Sequence, residues 1–446
     1  MTSDRRIAVI GGGIAGLAAA HAIVSSGANV TLFEAGSRFG GMILTTPFAG
    51  HPAIDEGADA FLARVPWAVD LARRVELGES LTSPAVGKAA VWWNGLHDIP
   101  EGLLLGLPTE LTSLARSPLI SRRGKLRAAT EIFRPRTSTD ADSIGAYVRA
   151  RFGNEVHERL VDPLIGSIYA ADTDDFSLAA VPQLAEVAAR SRSVLLASRR
   201  RVAATSGPVF YAPTAGVGQL VDAVSAAVAA NGGDLRFDAS VNELAIDGSD
   251  WRVDGEVFDS VVLACPARAA SRLLASVEPS GASTLAAIPT AGVALATLAM
   301  PAEGWSAKLQ GLSGYLVPKP HQRLVTAVSF ASQKWAHLAG ADHVILRVSL
   351  GRDGLSALHL SDDDLLADVL DELNAHLHFD PQPIASRISR WPNAFPQYRP
   401  HHSATVASLE RSLPRGVVLA GASYHGIGIP ACIRSGQQAA AATLQR

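Results

Sequence analysis

Apolar and polar positions divide this chain into short unbroken runs and longer helical repeats. Residues 7–10 are all apolar, which predicts a strand buried on both faces. Residues 17–24 continue as an alanine-rich apolar helix, and residues 29–33 read as a second strand. Residues 67–77 repeat apolar side chains at helical spacing and stop at Gly78, a predicted C-cap. From Gly102 to Ala204 the pattern is mostly helical. A further helix is predicted over residues 216–230, ended by Asn231, Gly232 and Gly233. Strands follow at 235–237, 251–253 and 258–264, then at 293–298, 325–330 and 344–350. One helix interrupts the later set, over residues 361–377. Its first turn holds Asp362, Asp363 and Asp364, where the helix dipole favours acids, so they read as a helix start rather than a metal site. Residues 417–421 form a last buried strand. The turn at 426–430 leads into a closing helix over 431–445.

The first two strands and the helix joining them frame a specific turn. Gly11, Gly13 and Gly16 have the G-x-G-x-x-G spacing. Gly11 lets the chain leave the strand sharply. Gly13 lets a pyrophosphate approach the backbone, and Gly16 lets the helix lie close to the sheet. The stretch Gly11, Gly12, Gly13, Ile14, Ala15 and Gly16 is therefore the expected phosphate cradle, backed by the helix N-terminus. Glu34 ends the second strand, near the roughly 20-residue offset of a carboxylate that accepts from a ribose 2′-OH. A glutamate there disfavours a 2′-phosphate, so NADP is not expected. Next come Ala35, Arg38, Gly40, Gly41 and Met42. An arginine and a glycine pair suit a second turn against a dinucleotide, with Arg38 paired to phosphate; the plain alternative is a surface turn. NAD-only folds do not need this element. Flavoproteins of the glutathione-reductase-like class usually carry something similar, which moves the expected cofactor from NAD to FAD. Gly57, in the run Ala58, Asp59, Ala60, can bring backbone under a flavin ring, whereas Glu56 and Asp59 read on their own as solvated turn residues. At the far end, Ile427, Gly428 and Ile429 open the last helix, whose N–H groups can face the flavin pyrimidine carbonyls.

Composition narrows the field. A chain of 446 residues exceeds the usual single core, so two or three domains are expected. With 48% hydrophobic residues, 18% charged residues and a net charge of −3, it reads as a globular enzyme with no electrostatic case for nucleic acid. Cys265 and Cys432 are the two cysteines, which excludes a disulfide framework and fits a reducing cytoplasm. Each reads as a structural thiol; for Cys432 the rival is a covalent flavin link. The amino terminus runs straight into the first strand, leaving no room for a signal peptide, and no apolar run reaches membrane-spanning length. Two basic runs, 121–136 and 190–201, read as solvated helix faces or as a dock for an acidic partner or anionic membrane.

The run 57–62 followed by Arg64, Val65, Pro66 and Trp67 resembles the protoporphyrinogen/coproporphyrinogen oxidase family of the FAD-dependent amine-oxidase-like superfamily. So do residues 93–102, which contain Leu96-His97 and Pro100, the turn at 106–109, and residues 163–172, similar to a Gly-Ile-Tyr-Ala-Gly-Asp signature. Residues 391–398 and the closing segment 419–430 extend the match over nearly the whole chain.

The resemblance implies an α/β protein: a Rossmann-type FAD-binding domain built from discontinuous segments, a mixed-sheet substrate domain and a helical insertion. The expected segments are 1–80, 205–278 and 391–446 for FAD, 81–204 for the helical insertion, and 279–390 for the substrate sheet. It implies that Val241 lies on the adenine and that Trp391 and the run Gly57, Ala58, Asp59, Ala60 face the flavin. It implies three two-electron oxidations of a porphyrinogen, with hydride passing to flavin N5, oxygen as acceptor and hydrogen peroxide released. No protein side chain is nominated as catalytic; His97, His402 and His425 read as structural. Arg64 and Lys88 are the basic residues expected to meet substrate carboxylates. Val65 stands where many members have a second basic residue. The motifs do not separate four-carboxylate coproporphyrinogen III from two-carboxylate protoporphyrinogen IX; the lack of an anchor favours the former, in the cytoplasm, with peripheral membrane contact and a haem-pathway enzyme partner left open. The rivals are an amine oxidase or desaturase of the same superfamily and a non-enzymatic flavin sensor.

Overall fold

The computed structural model describes residues 5–198, 207–303, 305–340 and 342–445. Arg199, Arg200 and Arg201, the end of the second basic run, lie outside the described residues. The chain forms two compact units. One comprises the described residues of Met1–Ser83, Gly207–Pro289 and Ser403–Arg446; the other comprises those of Pro84–Ser206 and Thr290–His402.

The first unit is a parallel sheet of five strands in the order Asp234–Arg236, Asn29–Phe33, Arg6–Ile10, Ser260–Leu263, Val417–Leu419. Period-two alternation explains why the runs are apolar throughout. Ile7, Val9, Val30, Leu32 and Val262 face one core with the helices Ile14–Ser25, Gly218–Ala230 and Ile429–Leu444. Ala8, Ile10, Phe33, Val261 and Leu263 face a second core, closed by the helices Ala267–Leu274 and Pro279–Ala286 and by Trp251 and Phe258. Both faces are covered, as a doubly wound dinucleotide fold requires. The helix expected over 67–77 is Pro66–Arg74 and stops early. Glu76 takes a left-handed φ of 62°, and Gly78 starts a separate short turn, Gly78–Ser80.

The second unit is built on a mixed seven-stranded sheet, in the order Ala385–Pro396, Thr290–Pro301, His343–Leu350, Val325–Phe330, Gly314–Leu316, Ala89–Trp92, Leu96–Asp98. All pairings are antiparallel except that of Gly314–Leu316 with Ala89–Trp92. One face packs on the helix Asp362–Leu377 through Ala294, Ala296, Leu298, Leu346 and Val348. Ser361 caps that helix by accepting from the Asp364 N–H at 3.1 Å, and its three aspartates occupy the first turn. Between residues 111 and 198 the same unit is helical.

Candidate functional site

In the first unit the glycine turn performs three separate steric tasks. Gly11 has φ of 110°, and a Cβ there would sit 2.8 Å from the Ala264 carbonyl, so the turn leans directly on the neighbouring strand end. Its N–H donates to the Phe33 carbonyl at 2.8 Å. A Cβ on Gly16 would lie 1.9 Å from the Gly11 carbonyl oxygen, which bars any side chain at this position. A Cβ on Gly13 would meet nothing within 4 Å. That open space, before a helix start with no side-chain cap and no acid in its first turn, is what a pyrophosphate needs. Ile14, Ala15 and Gly16 are buried behind it.

Glu34 ties this turn to the next. One carboxylate oxygen accepts from the Gly12 N–H at 2.7 Å and the other from the Gly36 N–H at 2.8 Å, across the exposed Ala35. The Glu34 carbonyl accepts from Ala239 at 2.9 Å, and the Gly36 carbonyl from Asp238 at 3.0 Å, so the loop leading to Val241 is laid beside the same carboxylate. Val241 itself packs half-buried on the second core. The glycine pair then folds back. Gly40 and Gly41 have φ of 105° and 58°, Gly40 N–H donates to the Gly12 carbonyl at 2.9 Å, and a Cβ on Gly41 would lie 3.3 Å from Gly13 Cα. Arg38 spends its guanidinium on this loop, donating to the carbonyls of Phe39 at 3.0 Å, Ile43 at 2.9 Å and Gly41 at 2.7 Å. These bonds shape the second turn. Met42 is exposed at the turn.

Gly57, Ala58, Asp59 and Ala60 follow the hairpin of Thr45–Phe48 and His51–Asp55. Glu56 is half-buried and accepts from the Thr46 hydroxyl at 2.6 Å, so it is a hairpin clamp and not the solvated turn residue expected. Phe61 closes the run and is buried in the same core as Ile429, Cys432 and Ile433, and its strand packs beside the last helix. The structure thus brings the run at 57–60 and the turn at 427–429 to neighbouring parts of this unit. Gly426 and Gly428 have φ of 117° and 104°; a Cβ on Gly428 would meet nothing within 4 Å, and the helix it precedes has no side-chain cap. Burial pushes the thiols of both Cys265 and Cys432 up to about 12, so they are protonated at neutral pH.

Gly436 was not anticipated. A Cβ there would lie 2.0 Å from the Ala15 carbonyl oxygen, so it sets how closely the last helix approaches the first. A lone glycine in an alanine-rich helix is the signal that could have found it.

The remaining expected residues fall elsewhere. Arg64 is exposed in the turn before the helix Pro66–Arg74. Lys88 and Trp391 belong to the second unit. Lys88 is exposed, with Nζ 2.9 Å from Asp98, and Trp391 stands opposite Val293 in the strand Ala385–Pro396. In the same unit the segment 169–172 rests on buried charge. Arg352 grips Asp162 with two hydrogen bonds of 2.9 and 3.0 Å, and Thr173 donates to Asp162 at 2.6 Å. Against the upward push of burial, these bonds hold Asp162 below the usual carboxylate range. His157, 2.8 Å from the Thr173 hydroxyl, is lowered to about 4, first by burial and then by Arg149. Among the described residues no group of three His, Cys, Asp or Glu side chains is placed to hold a metal, and no helix is long and apolar enough to cross a membrane.

Comparison with known proteins adds three findings. Residues 14–444 match the family model described as flavin containing amine oxidoreductase. The chain is 31% identical to the coproporphyrinogen III oxidase of Bacillus subtilis (strain 168), over 98% of this chain and 97% of that one, and 33% identical to that of Mycobacterium leprae (strain TN), over 98% of each. It also superposes on a crystal structure from Exiguobacterium sp. 255-15, provisionally assigned as a protoporphyrinogen oxidase, with a TM-score of 0.88 and 28% identity over all of both chains.

Proposed function

The chain belongs to the flavin containing amine oxidoreductase family, and from that premise we propose that it is an FAD-dependent oxidase of coproporphyrinogen III with molecular oxygen as acceptor. What supports the substrate most is full-length likeness to two bacterial coproporphyrinogen III oxidases. What supports the dinucleotide is the open backbone at Gly13, the uncapped helix behind it, and Glu34 between two turns.

The chain's own residues would divide the work. The first-turn N–H groups of the helix Ile14–Ser25 hold the pyrophosphate, with Gly13 leaving it room. Glu34 keeps acceptor capacity for ribose hydroxyls beside its two backbone donors. Val241 would lie against the adenine. The turn Ile427, Gly428, Ile429 and the run Gly57, Ala58, Asp59, Ala60 serve the ring end. When bound, the flavin supplies hydride acceptance and return of the electrons to oxygen, repeated three times per macrocycle. Arg64 is the exposed cation proposed for a substrate carboxylate; Lys88 would first have to leave Asp98. The setting is the cytoplasm. Leu126 and Phe133, 71% and 80% exposed within the basic run 121–136, offer a peripheral surface for an anionic membrane.

Purified protein mixed aerobically with each porphyrinogen tests this. Porphyrin fluorescence should appear, with a higher initial rate for coproporphyrinogen III than for protoporphyrinogen IX. The reverse order would favour the second reading, protoporphyrinogen oxidation, which the structural match to the Exiguobacterium protein supports. Peroxide from an amine without porphyrin fluorescence would remove both.

A further inference from the structure

The last turn of the first unit is built from residues that hold no shape by themselves. Gly426 and Gly428 both take left-handed φ, and the sixteen-residue helix that follows has no side-chain cap. A helix start whose N–H groups must remain open to a ligand cannot be capped by its own chain, so the turn has to be fixed from outside. The anchors are spaced along the segment. Gly421 N–H donates to the buried Ser435 hydroxyl at 3.0 Å, Ser423 accepts from Ala267 N–H at 3.1 Å, and Tyr424 donates to the Cys265 carbonyl at 3.3 Å. The last anchor before the glycines is His425. Its Nε2 lies 2.7 Å from Glu410 Oε1, so the ring donates to a carboxylate on the helix His402–Ser412. From the other side, Arg434 donates to the His425 carbonyl at 3.0 Å, with its guanidinium 4.8 Å over the Trp67 ring.

We propose that His425 and Glu410 are positioning residues for the flavin: their hydrogen bond fixes the backbone of Gly426, Ile427 and Gly428, and so sets how tightly FAD is held and at what potential it is reduced. This rests on the flavin reading above. Both side chains are about one-third exposed, which leaves the pair replaceable without opening the core. The backbone anchors at Ser435, Ala267 and Cys265 stay in place when the pair is removed.

The test is FAD titration of apoprotein, with the midpoint potential of the reconstituted flavin as a second readout. His425→Ala and Glu410→Ala should each weaken FAD binding by about tenfold, the loss expected for one charge-assisted hydrogen bond. The double variant should be no weaker than either single one, because the two side chains act as a unit. His425→Gln keeps a donor and should recover most of the affinity, and Glu410→Gln, which keeps the shape, covers the case of a poorly folding alanine variant. The midpoint potential should move in both alanine variants while their apoprotein melting matches wild type. Unchanged affinity and potential in His425→Ala would overturn the proposal, and so would losses that simply add in the double variant. Wild-type protein that takes up no FAD would instead overturn the flavin reading, before the variants are compared.

Discussion

The two units are stabilised by different physics. Among the described residues every buried Asp, Glu, Arg or His lies in the second unit; the buried polar groups of the first are Ser and Thr alone. The first unit is apolar strand and helix with glycines where backbones or a ligand must come close. The second encloses Glu131 with Arg151 at 0% and 1% exposure, Asp162 with Arg352 at 1% and 3%, and the helix residues Glu372 and His376. The contrast follows from what each holds. A dinucleotide is bound largely by backbone, so its bed needs side chains removed. In the second unit two buried pairs, Glu131 with Arg151 and Asp162 with Arg352, satisfy each other by hydrogen bonds, while Glu372 accepts from the backbone N–H groups of Leu324 and Val325.

The largest break in that contrast should come from Glu131. It accepts from Arg151, from the Ser193 hydroxyl at 2.5 Å and from the Val194 N–H at 2.9 Å. Glu131→Ala would leave a buried arginine unpaired and should cost about 3–5 kcal/mol in urea unfolding. A loss below about 1 kcal/mol would mean the pair is not what orders this region. Acid is the next lever. His376 is lowered to about 4, first by burial and then by His321 and Arg323, and its Nδ1 lies 3.2 Å from the Tyr315 hydroxyl. Its folded value lies below the ordinary 6.5, so the unfolded chain binds more protons between those limits. Stability should therefore be intact above about pH 6.5 and fall as pH drops toward 4, by up to roughly 3 kcal/mol from this group. His376→Gln should make that slope shallower in urea midpoints measured across the range, with His157, lowered alike, supplying the remainder; an unchanged slope would exclude His376 as a source.

The first unit should respond in affinity rather than stability. Glu34→Ala removes the acceptor for two backbone N–H groups and the acceptor proposed for ribose, and should weaken FAD by about 1.5–3 kcal/mol in equilibrium titration. The smallest stability effect is expected from Gly13→Ala. Its added Cβ meets no protein atom, and the backbone φ of −67° suits alanine. Unfolding should shift by less than about 0.5 kcal/mol, while FAD affinity falls because the methyl occupies the phosphate approach. Equal FAD affinity would place the pyrophosphate elsewhere.

This division also decides what could be read from residues alone. Residues 7–10, Gly11, Gly13, Gly16 and Glu34 are local in sequence, so spacing alone placed them at one strand-turn-helix-strand unit, although it did not show that Glu34 accepts from the Gly12 and Gly36 N–H groups. The strands near 293, 325 and 344 and the helix capped by Ser361 are equally local. The Asp162–Arg352 contact is different: its partners are 190 residues apart, and although Asp162 directly precedes the run 163–172, nothing in that run points to Arg352. The parallel pairing of Ala89–Trp92 with Gly314–Leu316 is likewise long-range, and it adds a hairpin from a stretch read as part of a helical insertion to the sheet. Arg38 was legible as a basic residue near a glycine pair, but spacing could not show that it clamps three carbonyls of its own loop. Trp391 was assigned by motif, and the structure sets it in the second unit's longest antiparallel pairing. Gly436 shows the reverse case, a plain signal in an alanine-rich helix whose meaning needs the opposing backbone.

Anaerobic mixing of the yellow holoprotein with coproporphyrinogen III tests the central claim most directly. The flavin absorbance should bleach as porphyrin fluorescence rises, and admitting oxygen should restore the colour. A protein that is colourless as purified, or whose flavin keeps its colour with coproporphyrinogen III yet bleaches with an amine, would contradict it.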